Sequence, residues 1–188
     1  MSQTKILVDT CSYFRLAQNI HPLLAVAFGG AEFALYAHEA LTKEFQRTAR
    51  LQTKFDWFTQ RDYVENRSRT LLISRKESKA IEGTFEFMWE HVKAENLKPS
   101  PVDVRILATA SALGLRMISD DQDLLAMAAM YGVHADTTLE IMRLMLDEKH
   151  ITKDQVRQVV AQWAYDRDTP ANFVTDYRRL FGGAPPKE

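Results

Sequence analysis

The segment KILVDT, residues 5–10, reads as a short buried strand, apolar and partly β-branched after Lys5, that stops at the acid Asp9. A second segment of the same design, LRMISDD at 115–121, ends on Asp120 and Asp121. Between them Pro101-Val102-Asp103 opens a helix, with Ser100 as its N-cap, Pro101 at the first helical position and Gly114 as its stop. Strands that end in carboxylates place charge at one edge of a sheet, where the chain leaves the core. Several carboxylates gathered there repel one another unless a cation sits among them.

Working outward, Thr10 and Ser12 are capping types, and Cys11 to Ala17 reads as the next helix. Leu23 to Phe28 is apolar and helix-compatible, stopped by Gly29-Gly30. Glu32 to Ala37 reads as a second strand, and His38 to Lys54 as one amphipathic helix with basic residues between its apolar ones. Asp56 to Arg69 is aromatic and charged, and Ser68 to Ser74 is a short apolar segment or a loop. A long helix is predicted over Arg75 to Leu97, a strand over Leu115 to Ser119, a helix over Asp121 to Tyr131 and a short strand over Gly132 to Ala135. Helices follow over Thr138 to Lys149, Thr152 to Tyr165 and Asn172 to Phe181. Strands alternating with helices imply an α/β fold with parallel pairing, and such sheets bind ligands at the carboxyl ends of their strands.

Composition sets the bounds. At 188 residues with 46% hydrophobic and 26% charged residues, the chain suits one globular core, and its net charge of −1 demands neither nucleic acid nor membrane. The charge is unevenly spread. Lys43 to Lys79 holds ten Lys/Arg against five Asp/Glu, while Ser100 to Glu148 holds three Arg against eight Asp/Glu. A basic and an acidic stretch on one domain fit an anionic substrate brought to a metal-charged pocket, or simply two solvated faces. Cys11 is the single cysteine, so the chain makes no internal disulfide and no thiolate zinc site, and Cys11 is expected in the core. No signal peptide and no membrane-length apolar window is present, which predicts a soluble, cytoplasmic protein with no membrane partner. The five histidines lack metal-ligand spacing, and His38 is the one near the acidic edge.

Hydrolysis of a phosphodiester can use divalent ions, and Mg2+ or Mn2+ requires carboxylates converging from different elements. Asp9, Asp103 and Asp121 meet that need in the sequence, and a fourth acid would come from the helix after the second strand, as Glu44 or Glu39. Each has a purely structural reading beside this one: Asp9 as a helix cap, Asp103 in a first turn, Glu44 paired with Lys43 or Arg47.

The order ILVDT, an acid in the helix after the second strand, PVDVRILATASALG, then LRMISDDQDLL resembles the PIN-domain family over residues 5–135. Asp103, Ile106, Ala108 and Ala110 resemble its Asp-x-x-Ile-x-Ala-x-Ala run, and Ser119, Asp121 and Asp123 its Thr-x-Asp-x-Asp-Leu. The resemblance implies a Rossmann-like PIN domain, a central parallel sheet flanked by helices, over 1–136. Residues 137–188 would be a helical C-terminal extension packed on the same domain. It implies a Mg2+- or Mn2+-dependent endoribonuclease with Asp9, Glu44, Asp103 and Asp121 as catalytic metal ligands. Asp120, Asp123, Ser119 and Thr10 would support them. Arg47, Arg50, Lys54 and Arg61, with Arg67, Arg69, Trp57, Phe58 and Tyr63, would bind backbone phosphates and stack bases. VapC-type toxins are one branch, so an antitoxin protein is an expected partner alongside an RNA substrate. The amphipathic tail helices bury against the core or form a homodimer interface. The readings set against this are a PIN nuclease directed to DNA or to a nucleic-acid structure, and a catalytically silent nucleic-acid- or protein-binding module. The long stretch between Glu44 and Asp103 and the helical tail both depart from a minimal domain.

Overall fold

Strand β1 (Thr4–Val8) lies inside a four-stranded, all-parallel sheet in a computed structural model that describes residues 3–186. Its neighbours are β2 (Phe33–Ala37) and β3 (Arg116–Ile118), and β4 (Ala135–Asp136) lies beyond β3, giving the order β2-β1-β3-β4. Val8 pairs in register with Ala37 on one side and Ile118 on the other. The helices are α1 (Thr10–Ala17), α2 (Ala40–Arg47), α3 (Ala49–Lys54), α4 (Arg61–Arg67), α5 (Arg75–Ala94), α6 (Pro101–Leu113), α7 (Gln122–Met130), α8 (Thr138–Asp147), α9 (Lys153–Tyr165) and α10 (Phe173–Phe181). A 3-10 turn covers Asp56–Thr59. The fold is α/β and Rossmann-like.

Side chains alternate across the strands, so β1 feeds two cores. Ile6 and Val8 join Tyr13, Phe14, Met142 and Val159 on the face covered by α1, α8 and α9. Leu7 joins Met88, Leu107, Met117 and Leu124 on the face covered by α5, α6 and α7. Helices α8, α9 and α10 are therefore built into the first core. Trp163 of α9 is buried there and donates its indole N–H to the carbonyl of Arg15 in α1 (2.8 Å). Trp163→Ala is expected to cost about 3–5 kcal/mol in denaturant unfolding, since it opens a cavity and removes that tie. A loss under about 1 kcal/mol would mean that α9 is merely laid on the surface.

Several predicted elements are reshaped. The helix predicted over His38 to Lys54 breaks at Thr48 (φ −116°, ψ 95°), separating α2 from α3. The break turns α3 toward the tail, where Lys54 meets Asp168. Leu23 to Phe28 is not helical. Leu24 runs beside Leu35 and Phe28 opposite Phe33, and the backbone of Leu24 is satisfied by the Asn66 amide (3.0 and 2.8 Å). Gly29 makes the return turn at φ 69°, a conformation that disfavours a side chain, and an added Cβ would collide with Glu148. The last strand begins at Ala135 because Gly132, at φ 67°, is still turning the chain out of α7. Cys11 is exposed rather than in the core, because it faces outward from the first turn of α1. Thr70 to Ser74 form a loop with Leu72 90% exposed. No helix among the described residues is long and apolar enough to cross a membrane.

Candidate metal centre

The strand order creates one topological switch. Helix α1 leaves β1 for one face of the sheet, whereas α7 leaves β3 for the other. In doubly wound sheets the crevice at the carboxyl ends of two such strands is where ligands bind. Asp9 follows β1 and Ser119-Asp120-Asp121 follow β3 at that crevice, joined by the hydrogen bond from Asp9 N–H to the carbonyl of Ile118 (3.1 Å).

Asp9 is 5% exposed and caps α1, its Oδ1 accepting from the Ser12 N–H (2.7 Å). Burial pushes its pKa up to about 6, against the hydrogen bonds from Ser119 and Ser12, and the neighbouring Asp120 adds to the rise. Beside it the buried hydroxyl of Thr10 has no hydrogen-bond partner among the described residues. The Ser119 hydroxyl, fully buried, also accepts from the Asp121 N–H (3.1 Å) and so bridges the ends of β1 and β3.

Three carboxylates are buried in the described residues: Asp9, Asp120 and Asp136. Two are charge-compensated. Asp136 is paired with Arg116. Asp120 is paired with Arg15 (2.7 Å) and accepts from both the N–H (2.9 Å) and the hydroxyl (2.6 Å) of Thr138 at the start of α8. Asp9 has no cationic partner among the described residues. Asp120 is thus a structural group, and Asp9 is the carboxylate left wanting a cation.

The other predicted acids have their carboxylates turned to local duties. Asp121 caps α7, Oδ1 accepting from the N–H groups of Asp123 and Leu124 (both 2.9 Å). Asp123 is exposed and paired with Lys98 (3.5 Å). Asp103 sits at the third position of α6, with Oδ2 closing a capping box on Ser100 (2.9 and 2.7 Å). In Asp103 and Asp121 the second carboxylate oxygen has no protein donor among the described residues. Glu44 is half-buried on α2, close enough for its charge to bear on the Cys11 thiol, as do Asp9 and Asp168. Glu39 is exposed and paired with Lys43 (3.3 Å). Among the described residues no three His, Cys, Asp or Glu side chains stand together as a metal-holding group. Asp9, Asp103 and Asp121 are each folded back onto the helix they cap.

Divalent ions of the magnesium type prefer oxygen donors and retain waters, so they need only a few carboxylates. An uncompensated buried carboxylate beside the unpartnered Thr10 hydroxyl fits such an ion. Asp9 would hold it first, with Asp121, Asp103 and Glu44 turning their open oxygens to it.

The basic residues divide. Arg47 and Arg50 are exposed, without ion pairs among the described residues. Arg61 is exposed but paired with Glu65 (2.6 Å). Lys54 is held by Asp168 (2.8 Å), and Arg67 is laid on the Phe58 ring (3.4 Å) and bonded to the Phe58 carbonyl (2.7 Å). Trp57 and Phe58 are buried against Phe14, Phe45 and Phe55, so they pack the core rather than stack bases.

Arg15 and Asp168 were not among the predicted site residues. Arg15 also binds Asp168 (2.9 Å), so a charge chain runs from Thr138 through Asp120, Arg15 and Asp168 to Lys54. Burial raises the Asp168 carboxyl, but its hydrogen bonds to Lys54 and Arg15 win and hold it below the ordinary range. Neither protein-family models nor curated proteins match this chain.

Proposed function

We propose that this chain is a Mg2+- or Mn2+-dependent endoribonuclease of PIN-domain type, working in a reducing, cytoplasmic setting. The observation that supports it most is Asp9: a buried carboxylate with no cation of its own, at the switch point of a parallel sheet. The other predicted acids, Asp103, Asp121 and Glu44, belong to elements that begin at the same edge.

Bound there, a divalent ion supplies activated water and charge stabilisation for in-line attack on the phosphodiester. The chain's own part is positional. Asp9 is anchored through Ser12 and Ser119, so it meets the ion with little reorganisation. The Asp120–Arg15 pair keeps α1 and α8 fixed behind it. Arg47 and Arg50 are the exposed cations available to strand phosphates, and their contribution should fall with salt. On this reading RNA is the substrate, and an antitoxin-type protein would act by covering α2 and α3.

The test is cleavage of matched RNA and DNA oligonucleotides by metal-stripped protein with Mn2+ restored. RNA cleavage alone supports the proposal, DNA cleavage alone redirects it to a DNA nuclease, and no cleavage of either points to a silent module. Glu44→Gln is expected to lower RNA cleavage by about 100-fold, while Glu39→Gln leaves it within about 2-fold. The reverse ranking would move the fourth ligand to Glu39.

A further inference from the structure

A cavity of about 370 Å³ opens one strand away from Asp9, beneath the end of β2. Val8 and Ala37 are the paired last residues of β1 and β2, so Asp9 and His38, the latter at the cavity wall, are the next residues beyond adjacent strand ends. None of Asp9, Asp103, Asp121 and Glu44 lines it, so it is separate from the metal centre. Its size falls within the range of about 300–1,000 Å³ typical of small-molecule sites.

The floor is aliphatic, from Leu71 and Ile73, with Ile81 and Leu7 buried in the same lining. The wall carries neutral hydrogen-bonding groups. His38 Nδ1 accepts from the Ala40 N–H (3.1 Å), which fixes the tautomer and leaves Nε2–H as a donor. Burial lowers the His38 pKa to about 4, so the ring is neutral at physiological pH. Thr109 is buried and donates to the Arg105 carbonyl (2.8 Å), so it closes the wall and leaves the ligand to other groups. The hydroxyls of Thr70 and Ser78 have no partner among the described residues and can donate or accept.

The charge of the cavity selects among ligands. Its one cation, Arg105, is already bound through two nitrogens to Glu82 (2.7 and 3.2 Å) and laid on the Phe85 ring (3.9 Å). Glu39 is likewise paired, with Lys43 (3.3 Å). Among the described residues the lining therefore offers no unpaired cation to a phosphate or carboxylate. A planar group with neutral donors and acceptors on its edge and an apolar face matches both the floor and the wall. Single-stranded nucleic acid presents that group when a base is unstacked.

We propose that this cavity receives an unstacked nucleobase of the strand being cleaved, placing the neighbouring phosphodiester at the Asp9 edge. The assignment rests on the nuclease reading. The base lies against Leu71 and Ile73, with its polar edge toward His38, Thr70 and Ser78, and the backbone stays outside.

The test is titration of the intact, metal-free protein with adenosine, guanosine, cytidine, uridine and ribose 5-phosphate, followed by ligand-observed NMR. At least one nucleoside should bind saturably and ribose 5-phosphate should not. Ser78→Trp, a filling substitution on the exposed face of α5, should weaken the nucleoside by about ten-fold or more, with the melting temperature little changed. Thr70→Val provides a second variant that removes an exposed hydroxyl of the lining. Asp9→Ala should leave nucleoside binding intact. RNA cleavage without nucleoside binding, or binding indifferent to both cavity variants, would overturn the proposal. So would ribose 5-phosphate binding as well as the nucleosides. Nucleoside binding by a protein that cleaves nothing would sink the nuclease reading instead and leave the pocket standing as a nucleoside site.

Discussion

Asp9→Asn should abolish RNA cleavage and, in the absence of metal, make the protein more stable. The cleavage loss is expected at roughly a thousand-fold, about 4 kcal/mol of transition-state stabilisation. The gain in stability follows from burial. Asp9 titrates near 3.8 when unfolded and at about 6 when folded. A raised folded pKa means that the stability contributed by the protonated form is fully present below pH 3.8. It is lost as pH rises through 6, by about 3 kcal/mol in all. Asparagine keeps the N-cap bond to Ser12 without the charge. The variant should therefore melt several degrees higher than wild type at pH 8 in a chelator, with the difference vanishing near pH 4. Mn2+ at about a hundred times its dissociation constant should restore about 2.7 kcal/mol to the wild type and nothing comparable to Asp9→Asn. Parallel pH profiles for the two proteins would mean that Asp9 is compensated after all.

The second large effect is structural. Asp120→Ala should cost about 3–5 kcal/mol, because it strips a buried ion pair of one partner. The Asp120 and Arg15 side chains are only 3% and 14% exposed, so water cannot take over. The same change frees the Thr138 N–H and hydroxyl at the start of α8. Asp120→Asn retains an acceptor for Thr138 and should lose less. Asp168→Ala, at the half-exposed end of the chain of charges, should cost about 1 kcal/mol or less. The measurement is the urea midpoint of the purified variants. Asp120→Ala within about 1 kcal/mol of wild type would show that Arg15 finds another partner. This variant separates the two neighbouring acids, since Asp121→Ala should instead spare most of the stability and remove activity.

What could be read from the chain was local. The runs KILVDT and LRMISDD are short, apolar and acid-terminated, so both strands and their edge were legible, as was the parallel arrangement. Helix α6 announced itself through Ser100, Pro101 and Gly114, the last at φ 62°. The rest depends on partners far along the chain. The extended path of Leu23 to Phe28 is stabilised by Asn66, 42 residues away, which no apolar periodicity reveals. Arg15 meets Asp168 across 153 residues, so a lone arginine in the first helix gave no sign of its role. The basic stretch looked like one phosphate-binding surface, but Lys54 and Arg67 were drawn inward by Asp168 and Phe58. Charge counting sees composition and not direction. The acids of the candidate site were visible for the same reason that they cap helices: both uses favour a short carboxylate where a strand gives way to a helix.

The most direct measurement is the rate of cleavage of a labelled single-stranded RNA by wild type and Asp9→Ala, each stripped of metal and supplied with Mn2+. Wild type should cleave only with the ion present, and the variant, still folded by circular dichroism, should not cleave. Cleavage that persists in excess chelator, or an Asp9→Ala protein that cuts at the wild-type rate, would contradict the assignment of this edge as a metal-dependent nuclease centre.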